Sequence, residues 1–374
     1  MNTIKKPHKN LLKRRSRKKA NERYTQLGWL VGCNYTPSTA SNQIEMRQKA
    51  AFDPVTIDRE LGRAEELGFN TIRVFLHNLV RDDDPTGYSE RIDHFLRLAE
   101  NHRIRVMFVF FDSVRDPHPH LGRQKEPLAW VHNSRRVQSP WYVLLNNPAL
   151  HDSLYSYVTG VVSQFKDDPR VLMRDLYNEP DNTNVASYQE WDTDHHIIKY
   201  TAPKAELALA LLQKTVQRIR ALNPSQPITM GPRQRNTLDD LSEIDTFMFE
   251  QSDIISFHNY EGHDRLQQRI TTLKAFGRPL LCTEYMARGE QSTFHDNLPM
   301  LKKFNVGAYN RGFVQGKSQT HCPRNTRQAP CAEPELRFHD ILHQDGRPYN
   351  HEEVAFLKKF CANKTLKWKR RKAE

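Results

Sequence analysis

Short apolar runs alternate with longer stretches of helical periodicity along most of the chain. Each run has the length and apolar character of a strand that is buried on both faces. The pattern predicts eight strands, at Trp29–Asn34, Thr71–Phe75, Arg105–Phe111, Val171–Glu179, Ile228–Gly231, Ile254–Phe257, Pro279–Glu284 and Val306–Asn310.

The segments between the strands predict helices, because apolar residues recur there every three or four positions. In the first, Asp53 and Pro54 suit an N-cap and a first helical residue, and Gly68 suits a C-terminal stop. The other predicted helices are Ile92–Ala99, Leu150–Phe165, Lys204–Leu222, Leu238–Phe247, Leu266–Ala275, Ser292–Phe304 and Glu352–Phe360.

Strands that alternate with helices in this way predict an α/β fold, a (β/α)8 TIM barrel in a single domain. An open doubly wound sheet is the rival, but no glycine-rich phosphate motif follows the first strand. We expect the barrel to span residues 27–362. A basic N-terminal lead (1–26) would precede it and a basic C-terminal tail (363–374) would follow it.

Polar side chains cluster where the predicted strands end, which is the face that carries the active site in such barrels. Two of them, Glu179 and Glu284, are carboxylates on strands that are far apart in sequence. Cleavage of a glycosidic bond needs such a pair, one to donate a proton and one to attack the anomeric carbon or activate water. The simpler interpretation of either glutamate alone is a salt bridge to a neighbouring loop. The full set is Asn34, His77, Asp112, Asn178, Glu179, His258, Tyr260, Glu284 and Asn310.

The net charge of +12 raises nucleic acid or an anionic surface as a partner. Much of this charge lies in Lys5–Arg23 and Lys364–Lys372, whose only aromatic residue is Trp368, too little for a base-stacking platform. We therefore expect no nucleic-acid partner. No apolar stretch predicts a signal peptide or a membrane span, so the default location is cytoplasmic. The five cysteines are irregularly spaced and predict no disulfide framework.

From about Trp29 to Phe360 the chain resembles the clan A retaining glycoside hydrolases, in particular the cellulase-like family 5 and its relatives. The resemblance rests on Arg73 in the second strand, the triplet Asn178-Glu179-Pro180, the pair His258-x-Tyr260 and the strand end Thr283-Glu284. It implies a monomeric enzyme that hydrolyses β-linked glycans such as cellulose, mannan or xylan, without a cofactor or a metal.

The resemblance also implies a role for each matched residue. Glu179 would be the general acid/base, with a pKa raised by burial and by the neighbouring carboxylate, and Glu284 the nucleophile, kept ionised by Arg73. Asn178 would bind the 2-hydroxyl of the sugar, and Tyr260 would orient Glu284. The other expected substrate contacts are His77, Asn34 and Arg311, and His258 would either bind sugar or tune Glu179.

One feature departs from the family. Sugar rings stack on aromatic faces, and the resemblance implies a tryptophan after the eighth strand, where this chain has Arg311. Arginine also stands where the family usually has tryptophan at Arg47, Arg115, Arg136, Arg174, Arg324 and Arg337, and less clearly at Arg63 and Arg81.

Three explanations compete for these arginines. The barrel has lost its sugar stacking; or the arginines pair with acids and recognise an acidic sugar; or the gene comes from a genome that reads the codon CGG as tryptophan. We favour the codon hypothesis, because so many positions differ from the family in the same way, with arginine in place of tryptophan. Tryptophan at all nine positions would lower the net charge from +12 to +3. The first explanation leads to an alternative function, a catalytically weak or inactive carbohydrate-binding barrel.

Overall fold

Eight parallel strands form one nearly closed sheet in the computed structural model, which describes residues 14–182, 184, 201–233, 241–326, 329 and 332–362. The strands run in the order β5-β4-β3-β2-β1-β8-β7-β6, so that β1 pairs with β8. Their bounds are β1 Val31–Asn34, β2 Thr71–Phe75, β3 Arg105–Asp112, β4 Val171–Asn178, β5 Ile228–Gly231, β6 Ile255–His258, β7 Leu280–Tyr285 and β8 Gly307–Asn310. The prediction of a (β/α)8 barrel is confirmed.

Along the chain, the α-helices of the described residues lie between these strands, before β1 and after β8. They are α1 Arg17–Leu27, α2 Pro54–Glu66, α3 Asn78–Asp83, α4 Pro85–Asn101, α5 Tyr142–Asn146, α6 His151–Gln164, α7 Lys204–Leu222, α8 Glu243–Gln251, α9 His263–Leu273, α10 Phe294–Lys303 and α11 His351–Cys361. The predicted start of α2 is confirmed, because the Asp53 side chain accepts a hydrogen bond from the Thr56 N–H and Pro54 is its first residue.

Part of the basic N-terminal lead closes one end of the barrel. Tyr24 and Leu27 of α1 pack in a buried cluster with residues of β3, β4, β7 and β8. Ahead of α1, the Arg14 guanidinium donates to the Ser252 carbonyl oxygen at 2.7 Å, and the Arg15 N–H donates to Asp253 Oδ1 at 3.1 Å. These cations bind the protein itself. The predicted C-terminal tail, 363–374, lies outside the described residues.

Strand register brings the polar strand ends to one layer of the barrel. Asn34 pairs with Arg73, Asp112 with Asn178, and His258 with Glu284. Because all eight strands are parallel, their carboxyl ends meet at the same mouth of the barrel. The side chains expected to carry the chemistry therefore face a common centre.

Candidate active site

Two carboxylates face each other at the mouth of the barrel. Glu284 lies in β7, and Glu179 directly follows β4. A carboxylate oxygen of each and a ring nitrogen of His258 all lie within 4.8 Å of one another. Glu179 has a left-handed backbone (φ 45°), which is costly for a residue with a side chain, and its N–H donates to the Gly231 carbonyl oxygen at 2.7 Å. The bond to β5 holds the acid in this strained position.

Glu284 is buried, and donors surround its carboxylate. Arg73 Nη1 lies 3.2 Å from Oε1, and the Tyr260 hydroxyl donates to Oε2 at 2.5 Å. Arg311 Nη1 lies 3.8 Å from Oε1. Burial acts to raise the pKa of Glu284, but His258, Arg311, Arg73 and the Tyr260 hydrogen bond outweigh it and hold that pKa far below its usual range. Glu284 is therefore ionised at neutral pH, as expected for a nucleophile.

Glu179 has a different environment. His258 Nδ1 lies 2.8 Å from Oε1, and the Asn182 amide donates to Oε2 at 2.7 Å. Burial and the charge of Glu284 both raise the pKa of Glu179, as predicted, but the hydrogen bond and charge of His258 lower it by more. The expectation of a raised pKa is therefore wrong for the free protein, because His258, which was expected to bind sugar or to tune Glu179, contacts this carboxylate and lowers its pKa.

Arg73 organises the floor of the site. Its side chain is fully buried and donates to Asp175 Oδ2 through Nε at 3.0 Å and Nη2 at 2.7 Å. It also donates to Asn34 Oδ1 at 2.8 Å and to Asn178 Oδ1 at 2.7 Å. Asn34 and Asn178 thus support Arg73, and any contact that they make with sugar uses their remaining atoms. Sequence reasoning missed Asp175, although an acid within a buried strand was a signal that a cation must lie opposite.

His77 is placed next to the site but is occupied by protein contacts. Its Nδ1 accepts a hydrogen bond from the Leu79 N–H at 3.2 Å, which caps α3. Its Nε2 therefore carries the proton and donates to the Gln138 carbonyl oxygen at 2.9 Å. Burial lowers the pKa of His77 to about 4. The sugar contact stays a prediction, and the contacts that we observe are structural.

Two arginines line a cavity beside the carboxylates. Arg311 follows β8, and Arg136 lies in the β3–α5 loop. Arg136 Nε donates to Asp112 Oδ2 at 2.7 Å, and Asp112 Oδ1 accepts from the Asn178 amide at 2.9 Å. The long loop after β3 therefore reaches the site. Further out, Arg324 binds Glu290 and lies 4.2 Å from the centre of the Tyr260 ring.

Lys204, at the start of α7, is a buried cation that sequence reasoning missed. Its Nζ donates to the Asn182 carbonyl oxygen at 2.6 Å and to the Ser113 carbonyl oxygen at 3.2 Å. The side chain of the same Asn182 holds Glu179. Lys204 therefore fixes the segment that orients the Glu179 carboxylate. Burial lowers the pKa of Lys204 to about 7.

Lys204→Met is expected to lower kcat/KM for a glycan by about tenfold, because Glu179 loses its fixed orientation as an acid. An aryl glycoside with an easily displaced leaving group needs no protonation, so its kcat/KM should change much less. Both values are to be measured by steady-state kinetics, with the exposed Lys214→Met on the same helix as the control. An equal loss with both substrates would show a general structural effect and contradict the assignment.

Glu179, His258 and Glu284 are also close enough to act as metal ligands. Their contacts do not favour an ion, since His258 is bonded to Glu179 and two arginine side chains lie beside Glu284. These cations already balance the negative charge that a metal ion would need. The arrangement suits proton transfer and nucleophilic attack better than metal binding.

Comparison with known proteins identifies the family. The model of cellulase (glycosyl hydrolase family 5) matches residues 38–305. The chain belongs to glycosyl hydrolase family 5. This glycosyl hydrolase cleaves O-glycosyl bonds, and the assignment from Arg73, Asn178-Glu179-Pro180, His258-x-Tyr260 and Glu284 is confirmed at the level of the family. No curated protein sequence matches the chain significantly.

Solved structures with the same fold include several glycosidases. An exo-β-1,4-mannosidase, Op5Man5 from Opitutaceae bacterium strain TAV5, is 16% identical (TM-score 0.58; 89% of this chain and 59% of that one). An endo-1,4-β-D-mannanase from Thermotoga petrophila RKU-1 is 12% identical (TM-score 0.57; 89% and 99%). GH5_18 from Streptomyces cattleya, in complex with Manβ1-4GlcNAc, is 15% identical (TM-score 0.58; 89% and 80%). At these identities the likeness supports the fold alone.

None of the described helices of this glycosyl hydrolase is long and apolar enough to cross a membrane.

Proposed function

We propose that this glycosyl hydrolase cleaves β-linked poly- or oligosaccharides with retention of anomeric configuration. Glu284 attacks the anomeric carbon while Glu179 protonates the departing oxygen. Glu179, now a carboxylate, then takes a proton from water, and this water displaces Glu284 from the sugar. The atoms balance as one water added across one glycosidic bond, and no cofactor takes part.

The short distance between the two carboxylates is the main support for retention. An oxygen of Glu179 lies no more than 4.8 Å from an oxygen of Glu284. Inverting enzymes separate their carboxyl groups by about 6.5–9.5 Å to admit a water molecule, whereas retaining enzymes place them about 5–5.5 Å apart. The distance here leaves no room for that water, so direct attack by a carboxylate is favoured.

The electrostatics support this division of roles. Glu284 has two arginine side chains and a phenol beside it and stays ionised. Glu179 has a histidine and an amide. Binding of a neutral sugar excludes solvent from around the two carboxylates. Their mutual repulsion then becomes stronger, which favours a proton on Glu179. Glu179 is therefore protonated in the complex with the sugar, where it donates that proton to the departing oxygen.

A panel of β-mannan, β-glucan and xylan tests the proposal. We expect hydrolysis of at least one polymer, and NMR at early times should show the β anomer as the first product. The α anomer as the first product would contradict retention, and the absence of hydrolysis throughout would contradict the proposed substrates. The two mannan-active structural neighbours make β-mannan the first polymer to assay.

A carbohydrate-binding barrel without activity is the second candidate. It rests on the arginines that stand where aromatic stacking is expected. The contacts of Glu179 and Glu284 count against it, since an inactive barrel has no need to hold two carboxylates within 4.8 Å of each other. Binding of a glycan without release of reducing ends would favour it.

A further inference from the structure

Buried arginines in this protein fall into two groups. In the first, acids surround the guanidinium: Arg73 binds Asp175 and Glu284, and Arg170 binds Asp168 and Asp93. Such pairing compensates for the removal of the cation from water. In the second group, Arg47 and Arg174 have no acid within ion-pair distance among the described residues, and Arg136 binds Asp112 but keeps a buried nitrogen without a partner.

Arg47 is the extreme case. Its side chain is 0% exposed, and none of its three guanidinium nitrogens has a hydrogen-bond partner. Its guanidinium carbon lies 4.2 Å from the centre of the Phe95 ring, and the tyrosine side chains Tyr35, Tyr88 and Tyr157 are nearby. A cation without partners in an aromatic core costs several kilocalories per mole, more than one contact with a ring returns.

Arg174 interrupts the apolar sequence of β4 and is 1% exposed. Among the described residues no carboxylate lies within ion-pair distance of it. It donates instead to Gln226 Oε1 at 2.6 Å and to the Phe165 carbonyl oxygen at 2.8 Å. That carbonyl oxygen also accepts from the Gln226 amide at 3.2 Å, so among the described residues the only acceptor that depends on Arg174 is Gln226 Oε1. A neutral side chain with a single N–H would satisfy this position.

Arg136 shows the same need for one donor. Its Nε donates to Asp112 Oδ2 at 2.7 Å, while its Nη2 is buried and has no partner. Its guanidinium carbon lies 3.9 Å from the centre of the Phe75 ring. The neighbouring charge of Arg311 repels it. Again a flat group with one donor would meet every acceptor, and it would leave no buried nitrogen without a partner.

Tryptophan is the flat, uncharged side chain that has a single N–H donor. The arginine codon CGG differs from the tryptophan codon TGG only in its first base. We infer that positions 47, 136 and 174 carry tryptophan in the protein made by its native cells, because one arginine codon of this gene is read there as tryptophan. A single reassigned codon accounts for all three positions, and the inference requires other arginine codons at Arg73 and Arg170, each of which binds two acids.

Mass spectrometry of the protein purified from its native cells tests the inference directly. Trypsin should not cleave after positions 47, 136 and 174, and each spanning peptide should have the mass of the tryptophan form. Peptides that contain Arg73 and Arg170 are the internal control and should have arginine masses with normal cleavage. Arginine at positions 47 and 174 of the native protein would overturn the inference.

Recombinant variants provide a second test that does not need the native cells. Arg47→Trp and Arg174→Trp should each raise the melting temperature, and together by about 5 °C or more, since each removes a poorly compensated buried charge. The matched control, Arg170→Trp, removes an acid-paired arginine and should lower it. If the tryptophan variants have lower melting temperatures than the arginine form, these buried positions do not accommodate an indole and the inference is wrong.

Discussion

Glu284→Gln is expected to lower kcat for glycan hydrolysis by about 10⁴-fold or more, because an amide cannot attack the anomeric carbon. Glutamine keeps the size of the side chain and can still accept the Tyr260 hydrogen bond, so the barrel should fold. Reducing-end release and thermal unfolding are to be measured on the same preparation. Activity within tenfold of the wild type would remove Glu284 from the mechanism.

Small anions extend this test to the separate roles of the two carboxylates. If Glu284 attacks from one face of the sugar and Glu179 serves the other, azide should enter opposite faces in Glu284→Ala and Glu179→Ala. With an activated aryl β-glycoside, Glu284→Ala should yield the α-glycosyl azide and Glu179→Ala the β-glycosyl azide. NMR of the products distinguishes them. The reverse pattern would exchange the two assignments while leaving the barrel and the family unchanged.

Arg73→Met is expected to have the largest effect on stability, about 3–5 kcal/mol in the free energy of unfolding. The fully buried guanidinium compensates Asp175 and contributes to compensating Glu284. Removal of Arg73 leaves Asp175 without the guanidinium that donates two hydrogen bonds to it. Urea denaturation measures the loss, and Arg97→Met, in which an exposed arginine is replaced, is the control.

A double variant shows whether the uncompensated charge causes the loss. Arg73→Met combined with Asp175→Asn removes the cation and the acid together, so it should recover part of the stability that the single variant loses. If the double variant is less stable by the sum of both single losses, the two residues do not act as a pair.

Arg73→Met should also change the pH dependence of activity. Arg73 is one of the groups that lower the pKa of Glu284, so the ionised, active form persists to low pH in the wild type. Without Arg73 this pKa rises, and the acidic limb of kcat/KM moves to higher pH. The stability that ionised Glu284 contributes is present above its unfolded pKa and is lost as the pH falls through its folded pKa, so the loss should be complete at a higher pH in the variant.

Local signals along the sequence were enough for most of the barrel. The predicted bounds Thr71–Phe75, Ile228–Gly231 and Lys204–Leu222 agree with the structure, and the predicted strand Val171–Glu179 is one residue longer than β4. Each of these elements has a strong period or a clear stop, and burial inside a barrel reinforces the same pattern. The short helices α3 and α5 were missed, since neither is long enough to show a helical period.

The sequence by itself determined the fold class, the family and the position of two carboxylates at strand ends. The order and spacing of strand-end residues can be seen in the sequence alone. Only the tertiary structure showed that Asp175 compensates Arg73, that Lys204 and Asn182 hold Glu179, and that His77 is occupied by protein contacts. It also reversed the expected direction of the Glu179 pKa through His258. The physical reason is common to all of these: hydrogen bonding and electrostatics depend on distances of a few ångströms between residues far apart along the chain, and no local pattern records those distances.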